Sequence, residues 1–194
     1  IRGGAAGTMR AFFITAVDGG SAATRFPTNL EPSAEAPIRT CLVRVGDTIY
    51  SGPFASYRVW MSNGVISAFQ NRPNLSNELV DCTFVYNNKE VFYNAAFRRR
   101  GSPFLRSGYG GDPRGRIALR IDFNPDQNFR GREEVNLDNT EGESRGPLQE
   151  RASYWFYKKL GLHYSMSDYI RPIYNGNSYG SYEDVQQVDT DYIE

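Results

Sequence analysis

The segment "FRGREEVNLDNTEG", from Phe129 to Gly142, surrounds two apolar residues, Val135 and Leu137, with four acidic side chains and two arginines. Its alternation of apolar and polar residues predicts a short strand with Val135 and Leu137 inward and the polar residues between them outward. The acids and arginines can neutralise one another at a surface. We therefore expect the segment to be a structural connection between two elements rather than a cage of ligands.

The residues just before this strand have the spacing of a calcium loop. Oxygen-bearing side chains occupy positions one, three, five, seven and twelve of an EF-hand-like pattern: Asp122, Asn124, Asp126, Asn128 and Glu133. The sixth position, where a sharp turn requires Gly, is Gln127. An Asx-rich turn, whose side chains bond the local backbone, explains the pattern better. No metal site is predicted, and a calcium-stabilised β module is the weakest alternative.

Composition excludes several classes of protein. The 194 residues carry a formal net charge of zero, which gives no field for nucleic acid or an anionic membrane surface. No apolar run approaches the ~20 residues that a transmembrane helix needs, so no membrane insertion is expected. The aromatic content of 14% is typical of a folded protein. We expect a protein partner or substrate, no nucleic acid, and membership of a larger assembly.

The cysteines and the single histidine do not indicate a metal centre. Cys41, Cys82 and His163 provide too few ligands for a zinc site. The two cysteines either form one disulfide or remain buried thiols on separate β elements, and the sequence leaves both open. His163 follows a predicted helix, where a cation is favourable, and is interpreted as structural.

Turn signals place two hairpins and a helix in the chain. The Asn87-Asn88 and Asn175-Gly176 pairs lie between aromatic and β-branched runs, as in tight β-hairpins. A short helix is expected after a Ser62 or Asn63 cap. The best helix runs over 147–160, with Gly161 as its C-terminal cap. The predicted fold class is α+β: an antiparallel β-sheet of hairpins with one main packed helix.

The longer helix carries an apolar stripe, which we expect to pack on the sheet. Five side chains fall on this stripe: Leu148, Ala152, Trp155, Phe156 and Leu160. Burial of Trp155 and Phe156 follows from this expectation, and Trp155→Ala would then unfold the domain.

The order of these elements resembles the N-terminal half of the spore-coat CotH kinase family. That family has an R-x-R-G-[NS]-S element, a strand, a short "LN" strand, a helix from L-x-E to Leu-Gly, an Asn-Gly hairpin and a Glu/Gln-rich segment before V-D. The resemblance covers roughly residues 55–194. The matching segments are Arg98–Ser102, Asn136-Leu137, Leu148 to Gly161, Tyr169 to Gly176, and Gly180 to Asp189.

The resemblance implies a fold like the N-lobe of an atypical protein kinase. Residues 1–52 would be a β extension outside the match, and residues 53–194 the N-terminal half of the CotH-like domain, ending near the hinge. The intact protein would use ATP and Mg²⁺ to phosphorylate proteins. This chain would lack the metal-binding and catalytic acids and would be inactive alone.

The resemblance also implies a set of site residues. Those near the phosphates or nucleotide are Arg98, Arg100, Gly101, Ser102, Arg116, Arg120 and Glu150. The hinge-like residues are Gln186, Gln187 and Val188. Where the family has lysines leading into the strand, this chain has Arg114, Arg116 and Arg120, which do not reproduce a compact ammonium.

Two functions therefore remain open. The first is part of a secreted or cell-surface CotH-like kinase. The second is a non-catalytic structural or interaction module of an extracellular or cell-envelope assembly, which the missing lysines and the aromatic-rich strands favour.

Overall fold

A closed β-barrel dominates the structure, a computed structural model that describes residues 3–27, 38–106, 111–139 and 148–187. Seven strands follow one another around the barrel in the order β5, β6, β7, β8, β9, β12 and β10, and β10 pairs with β5 to close it. These strands span Ala55–Trp60 (β5), Val80–Tyr86 (β6), Glu90–Arg99 (β7), Leu119–Asp122 (β8), Glu134–Asp138 (β9), Ser167–Tyr174 (β10) and Tyr182–Val185 (β12).

The remaining elements are short. Four strands precede the barrel and one lies within its last hairpin: Met9–Phe12 (β1), Ile14–Val17 (β2), Ala23–Phe26 (β3), Cys41–Arg44 (β4) and Asn177–Ser178 (β11). The helices are Asn63–Asn71 (α1), Pro103–Arg106 (α2) and Gln149–Lys159 (α3), with a 3-10 turn at Pro125–Gln127.

Local signals identify the turns and caps correctly. Asn87, Asn88 and Asn175 have positive φ, as does Gly176, which suits tight turns between twisted strands. The first of these turns joins β6 to β7, and the second joins β10 to β11. The Ser62 hydroxyl caps α1 by accepting a 3.2 Å hydrogen bond from the amide of Val65.

The expected α+β lobe, an open antiparallel sheet with one packed helix resembling a kinase N-lobe, is wrong. The sheet closes because β10 runs parallel to β5, with Ile170 opposite Ala55 and Tyr174 opposite Val59. Hairpin signals specify only the pairing of strands that are adjacent in sequence. They therefore do not indicate this long-range parallel pairing. Outside the barrel, β4 pairs antiparallel with β1.

One end of the barrel is plugged by α1. Its apolar face buries Val65, Ile66 and Phe69. The ring of Phe69 stacks on Phe97 of β7 with centroids 5.2 Å apart. The short helix therefore seals the barrel interior that the strands alone would leave open.

The other end is plugged by Phe129, which lies in the loop before β9. Phe129 is fully buried. Its ring lies between 5.1 and 5.6 Å from five other rings: Tyr57, Phe84, Tyr86, Phe92 and Phe123. The loop reverses immediately afterwards, with positive φ at Arg130 and Gly131. This geometry is consistent with the interpretation of the segment as a structural connection. Strand β9 directs Val135 and Leu137 inward, as expected.

Strands β1 and β4 form a two-stranded sheet that adds a second layer outside the barrel. The strand β4 lies over β6, where the Leu42 amide donates to the Thr83 hydroxyl at 3.0 Å. Leu42 also packs with Trp60 and Val85 in a small apolar cluster. Cys41 and Cys82 lie on separate strands, as expected, and both are buried free thiols.

A buried carboxylate anchors this layer. Asp81 accepts a 2.9 Å hydrogen bond from the Thr40 amide through Oδ2. Its Oδ1 is buried without a hydrogen-bond partner among the described residues. Burial raises the pKa of Asp81 from 3.8 to about 6, although the Thr40 amide and the charges of Arg39 and Arg25 oppose the shift.

Asp81→Asn is expected to stabilise the protein above pH 6. A carboxyl whose pKa is raised by folding binds its proton more tightly when folded, so stability is lost as the pH rises from about 4 to about 6. Asparagine keeps an oxygen for the Thr40 amide and removes the buried charge. We expect a gain of about 2–3 kcal/mol at pH 7.5 and almost none at pH 4. Thermal unfolding of both proteins across this range measures it, and a gain independent of pH would contradict it.

Candidate functional site

The outer face of β7, β8, β9 and β12 brings several of the expected site residues together. Arg98 lies opposite Arg120 in the register of β7 and β8. Arg120 lies opposite Asn136 of β9, which in turn lies opposite Val185 of β12. Successive outward positions on neighbouring strands are close in space. Arg98 and Arg120 thus lie side by side on this face, next to the buried Asn136 and Val185.

Carboxylates hold the arginines of this face. Arg120 forms a two-pronged pair with Asp122, at 2.7 and 2.9 Å, and a further ion pair with Glu134. Arg100 forms an ion pair with Asp138. Each of these cations is thus already neutralised within the fold, which weakens the attraction that a phosphate would experience.

Arg98 is held differently. Its Nη1 donates to the side-chain oxygen of Asn77 at 3.4 Å and to the carbonyl oxygen of Arg99 at 3.2 Å. Burial and the charge of Arg120 lower the pKa of Arg98. Two like charges on neighbouring strands are thus tolerated because acids surround Arg120.

The segment directly after β7, residues 100–106, is held by the side chain of Arg106, which sequence reasoning missed. The buried Arg106 side chain donates through Nε to the carbonyl of Gly101 at 2.7 Å and through Nη1 to the Asn77 side chain at 2.7 Å. Gly101 has φ of +106°, a conformation that favours glycine. The carbonyl of Ser102 accepts the amide of Arg106 at 3.0 Å. The carbonyl oxygens of Gly101 and Ser102 therefore accept hydrogen bonds from Arg106.

Arg116 precedes β8 in the chain. Its side chain is exposed on the loop before β8. Its carbonyl oxygen accepts a 2.8 Å hydrogen bond from the amide of the Asn139 side chain.

Glu150 lies on the half-buried side of α3, away from the exposed Trp155 and Phe156. Its carboxylate accepts a 2.7 Å hydrogen bond from the hydroxyl of Tyr154, one helical turn later. Burial and this contact raise the pKa of Tyr154, and the positive charge of Arg100 partly offsets the increase. The contact that the structure shows for Glu150 is thus within its own helix, where it orders the first turn.

The expected hinge residues use their hydrogen-bonding groups within the fold. The amide of Gln186 donates to the carbonyl of Met166 at 2.8 Å, and the Gln186 side chain accepts from the Met166 amide at 3.1 Å. The Gln187 side-chain oxygen accepts from Asn136 at 3.1 Å. Val188 lies outside the described residues. The Gln186 amide is therefore engaged, although a hinge would present such a group to an adenine.

The calcium-like loop has the geometry of a turn. The side-chain oxygen of Asn124 accepts from the amide of Asp126 at 3.1 Å, and Asp122 is paired with Arg120. Within the part of the chain that the structure describes, no three His, Cys, Asp or Glu residues are grouped as metal ligands.

The main correction concerns α3. Trp155 is 59% exposed and Phe156 is 55% exposed, so the expected docking of this stripe on the sheet is wrong. Leu148 and Leu160 are exposed as well, and no residue of the helix is fully buried. The helix instead lies on β10 through its polar side, where Arg151 stacks over Tyr169 at 4.7 Å. A polar face turned inward and an apolar face turned outward is the reverse of an ordinary surface helix.

A groove separates α3 from the start of β10. Its volume is about 300 Å³, and aromatic, sulfur-containing and charged side chains line it. Trp155 and Met166 provide apolar walls, while Arg151 and Lys158 place cations at its sides. The groove and the outward stripe share Trp155, so they form one continuous surface, which we call the α3 surface. None of the described helices has the length and apolarity required to cross a membrane.

Comparisons with known proteins leave the family open. The chain matches no protein-family model and no curated protein sequence. The likeness to the CotH kinase family therefore rests on the residues quoted above and stays a prediction.

Proposed function

We propose that this chain is a non-catalytic interaction module that binds a protein partner through the α3 surface. The outward apolar stripe of α3 carries the proposal. Exposing Trp155, Phe156 and Leu160 together is costly in water, and such contiguous patches are typical of interfaces. Aromatic residues are also enriched in the central contacts of protein interfaces.

The polar outer face supports the same proposal. Arg100 and Arg120 are paired with Asp122, Glu134 and Asp138, so that the face acts as a structural layer. The barrel interior is filled by side chains at both ends, including Phe69 and Phe129. Binding is therefore assigned to the outside of the barrel. The extracellular or cell-envelope setting stays a prediction.

Selection of random peptides against the immobilised chain tests the proposal. Binding of the selected peptides should disappear in the double variant Trp155→Ser and Phe156→Ser. We expect this variant to keep the wild-type melting temperature, because both side chains are exposed. A matched control replaces two exposed apolar residues elsewhere, Phe13→Ser and Ile14→Ser. Peptides that bind all three proteins equally would place the binding surface away from α3 and refute the proposal.

A second candidate is the nucleotide-binding portion of a CotH-like kinase acting with ATP and Mg²⁺. One observation favours it: the motif residues Arg98 and Arg120 lie side by side, with Arg100 close enough to influence Tyr154 of α3. Phosphate groups are recognised by such clustered guanidinium groups. The carboxylates that already pair with Arg100 and Arg120 weigh against it.

We expect this chain to bind ATP–Mg²⁺ more weakly than about 100 µM, roughly −5.5 kcal/mol, and to transfer no phosphate. The reason is that the arginines must exchange a carboxylate partner for the nucleotide. Isothermal titration provides the measurement, with Arg120→Gln as the variant that should remove residual binding and Arg10→Gln as its control. A dissociation constant in the low micromolar range would contradict this expectation and would mean that the chain already contains a complete nucleotide site.

A further inference from the structure

The α3 surface has a concave part and a cationic rim. The groove next to Trp155 is large enough for one or two apolar side chains of a partner. A partner with a flat surface would contact only the convex apolar stripe of α3 and would leave this groove empty. The groove therefore favours an occupant with protruding side chains, such as a polypeptide segment.

The accessible charges around this surface are mainly positive. Lys159 lies over the ring of Trp155 at 5.7 Å, and Lys158 lies over that of Tyr164 at 5.1 Å. Arg151 forms an ion pair with the exposed carboxylate of Asp168 at 3.5 Å, so the accessible positive charge comes from the two lysines. Glu150, the acidic residue of α3, hydrogen bonds within the helix.

The placement of lysine is also unusual. Only three of the 22 basic residues in the chain are lysines, and two of them are Lys158 and Lys159. The third, Lys89, lies in the turn between β6 and β7. Lysine acts as a compact point charge on a flexible stem, which suits contact with carboxylates that approach from several directions.

We propose that the α3 surface binds an acidic amphipathic segment of a protein partner. Apolar side chains of that segment would cover Trp155, Phe156 and Leu160 and enter the groove, while its carboxylates would face Lys158 and Lys159. This inference rests on the proposed interaction function and adds the chemistry of the partner. Charge complementarity around an apolar centre supplies specificity and speeds association.

The test uses two synthetic peptides of about four helical turns. Both carry leucine and phenylalanine along one face. One carries glutamate at the remaining positions, and the other carries lysine. We expect the glutamate peptide to bind the chain at least tenfold more tightly than the lysine peptide, with an affinity that falls as salt is raised.

Protein variants locate the contact. The double charge reversal Lys158→Glu and Lys159→Glu should lower the affinity for the glutamate peptide at least tenfold. The matched control, Lys89→Glu, should leave this affinity unchanged. Trp155→Ser should abolish binding of the glutamate peptide.

The outcomes separate this inference from the function on which it rests. If both peptides bind equally and Trp155→Ser removes both, the partner is not acidic, although α3 remains an interaction surface. If neither peptide binds and the chain instead binds phosphatidylserine vesicles, the surface recognises lipid and the inference is wrong. Sedimentation of the free chain as a dimer that Trp155→Ser dissociates would identify a second copy as the occupant, which also overturns it.

Discussion

Asp184→Ala is expected to destabilise the protein by about 3–5 kcal/mol, because it leaves the half-buried guanidinium of Arg132 and the buried hydroxyl of Tyr57 without their partner. Asp184 lies inside the barrel at 3% exposure. Arg132 donates two hydrogen bonds to it, at 3.0 and 2.7 Å, and the hydroxyl of Tyr57 donates a third at 2.7 Å. Burial lowers the pKa of Arg132, but the hydrogen bond and charge of Asp184 outweigh it and the pKa is raised overall.

Urea unfolding followed by circular dichroism measures this effect. With a slope of about 2 kcal/mol per molar urea, the midpoint should fall by about 1.5–2.5 M. Asp122→Ala is the matched control, because that carboxylate pairs with Arg120 on the outer face and Glu134 remains beside the arginine. We expect the control to cost less than about 1 kcal/mol. Equal midpoints for the two variants would show that Asp184 does not hold the barrel end together.

Phe129→Ala should cost about 3–5 kcal/mol, the usual range for a large side chain removed from a core. Its ring touches five other aromatic rings and closes one end of the barrel, so alanine leaves a cavity that the rigid strands cannot fill. Loss of the ring also removes edge-to-face contacts with Tyr57 and Phe84.

Trp155→Ala is the contrasting variant for the same measurement. The side chain is large and aromatic, but it points outward, and we expect a change within about 0.5 kcal/mol. This reverses the expectation from the sequence, in which Trp155 was a core residue. If Trp155→Ala proved as damaging as Phe129→Ala, α3 would be docked through its apolar stripe after all.

The features that could be predicted from the sequence are those with local causes. The Asn87-Asn88 and Asn175-Gly176 turns, the Ser62 cap and the inward alternation of β9 each depend on neighbouring residues alone. The closure of the barrel depends on β10 meeting β5, which are separated by most of the domain. No pattern within either strand specifies that partner.

The site shows the same division. The site residues that the resemblance implies include Arg98 and Arg120 but omit Asn136; the antiparallel pairing of β7, β8 and β9 is what aligns these three residues. The orientation of α3 could not be deduced, because an apolar stripe indicates burial against something without showing whether it lies in the same domain. Asp184 was missed because an acidic residue in a strand ordinarily indicates an outward position.

Collisional quenching of tryptophan fluorescence tests the outward orientation of α3 most directly. The chain has two tryptophans, and Trp60 is buried at 9% exposure whereas Trp155 is 59% exposed. Trp60→Phe leaves Trp155 as the single fluorophore, and Trp155→Phe leaves Trp60. We expect acrylamide to quench Trp155 nearly as efficiently as free N-acetyltryptophanamide and to quench Trp60 several-fold less. Trp155 protected to the same degree as Trp60, in a folded monomer, would contradict the outward α3 surface and the interaction function built on it.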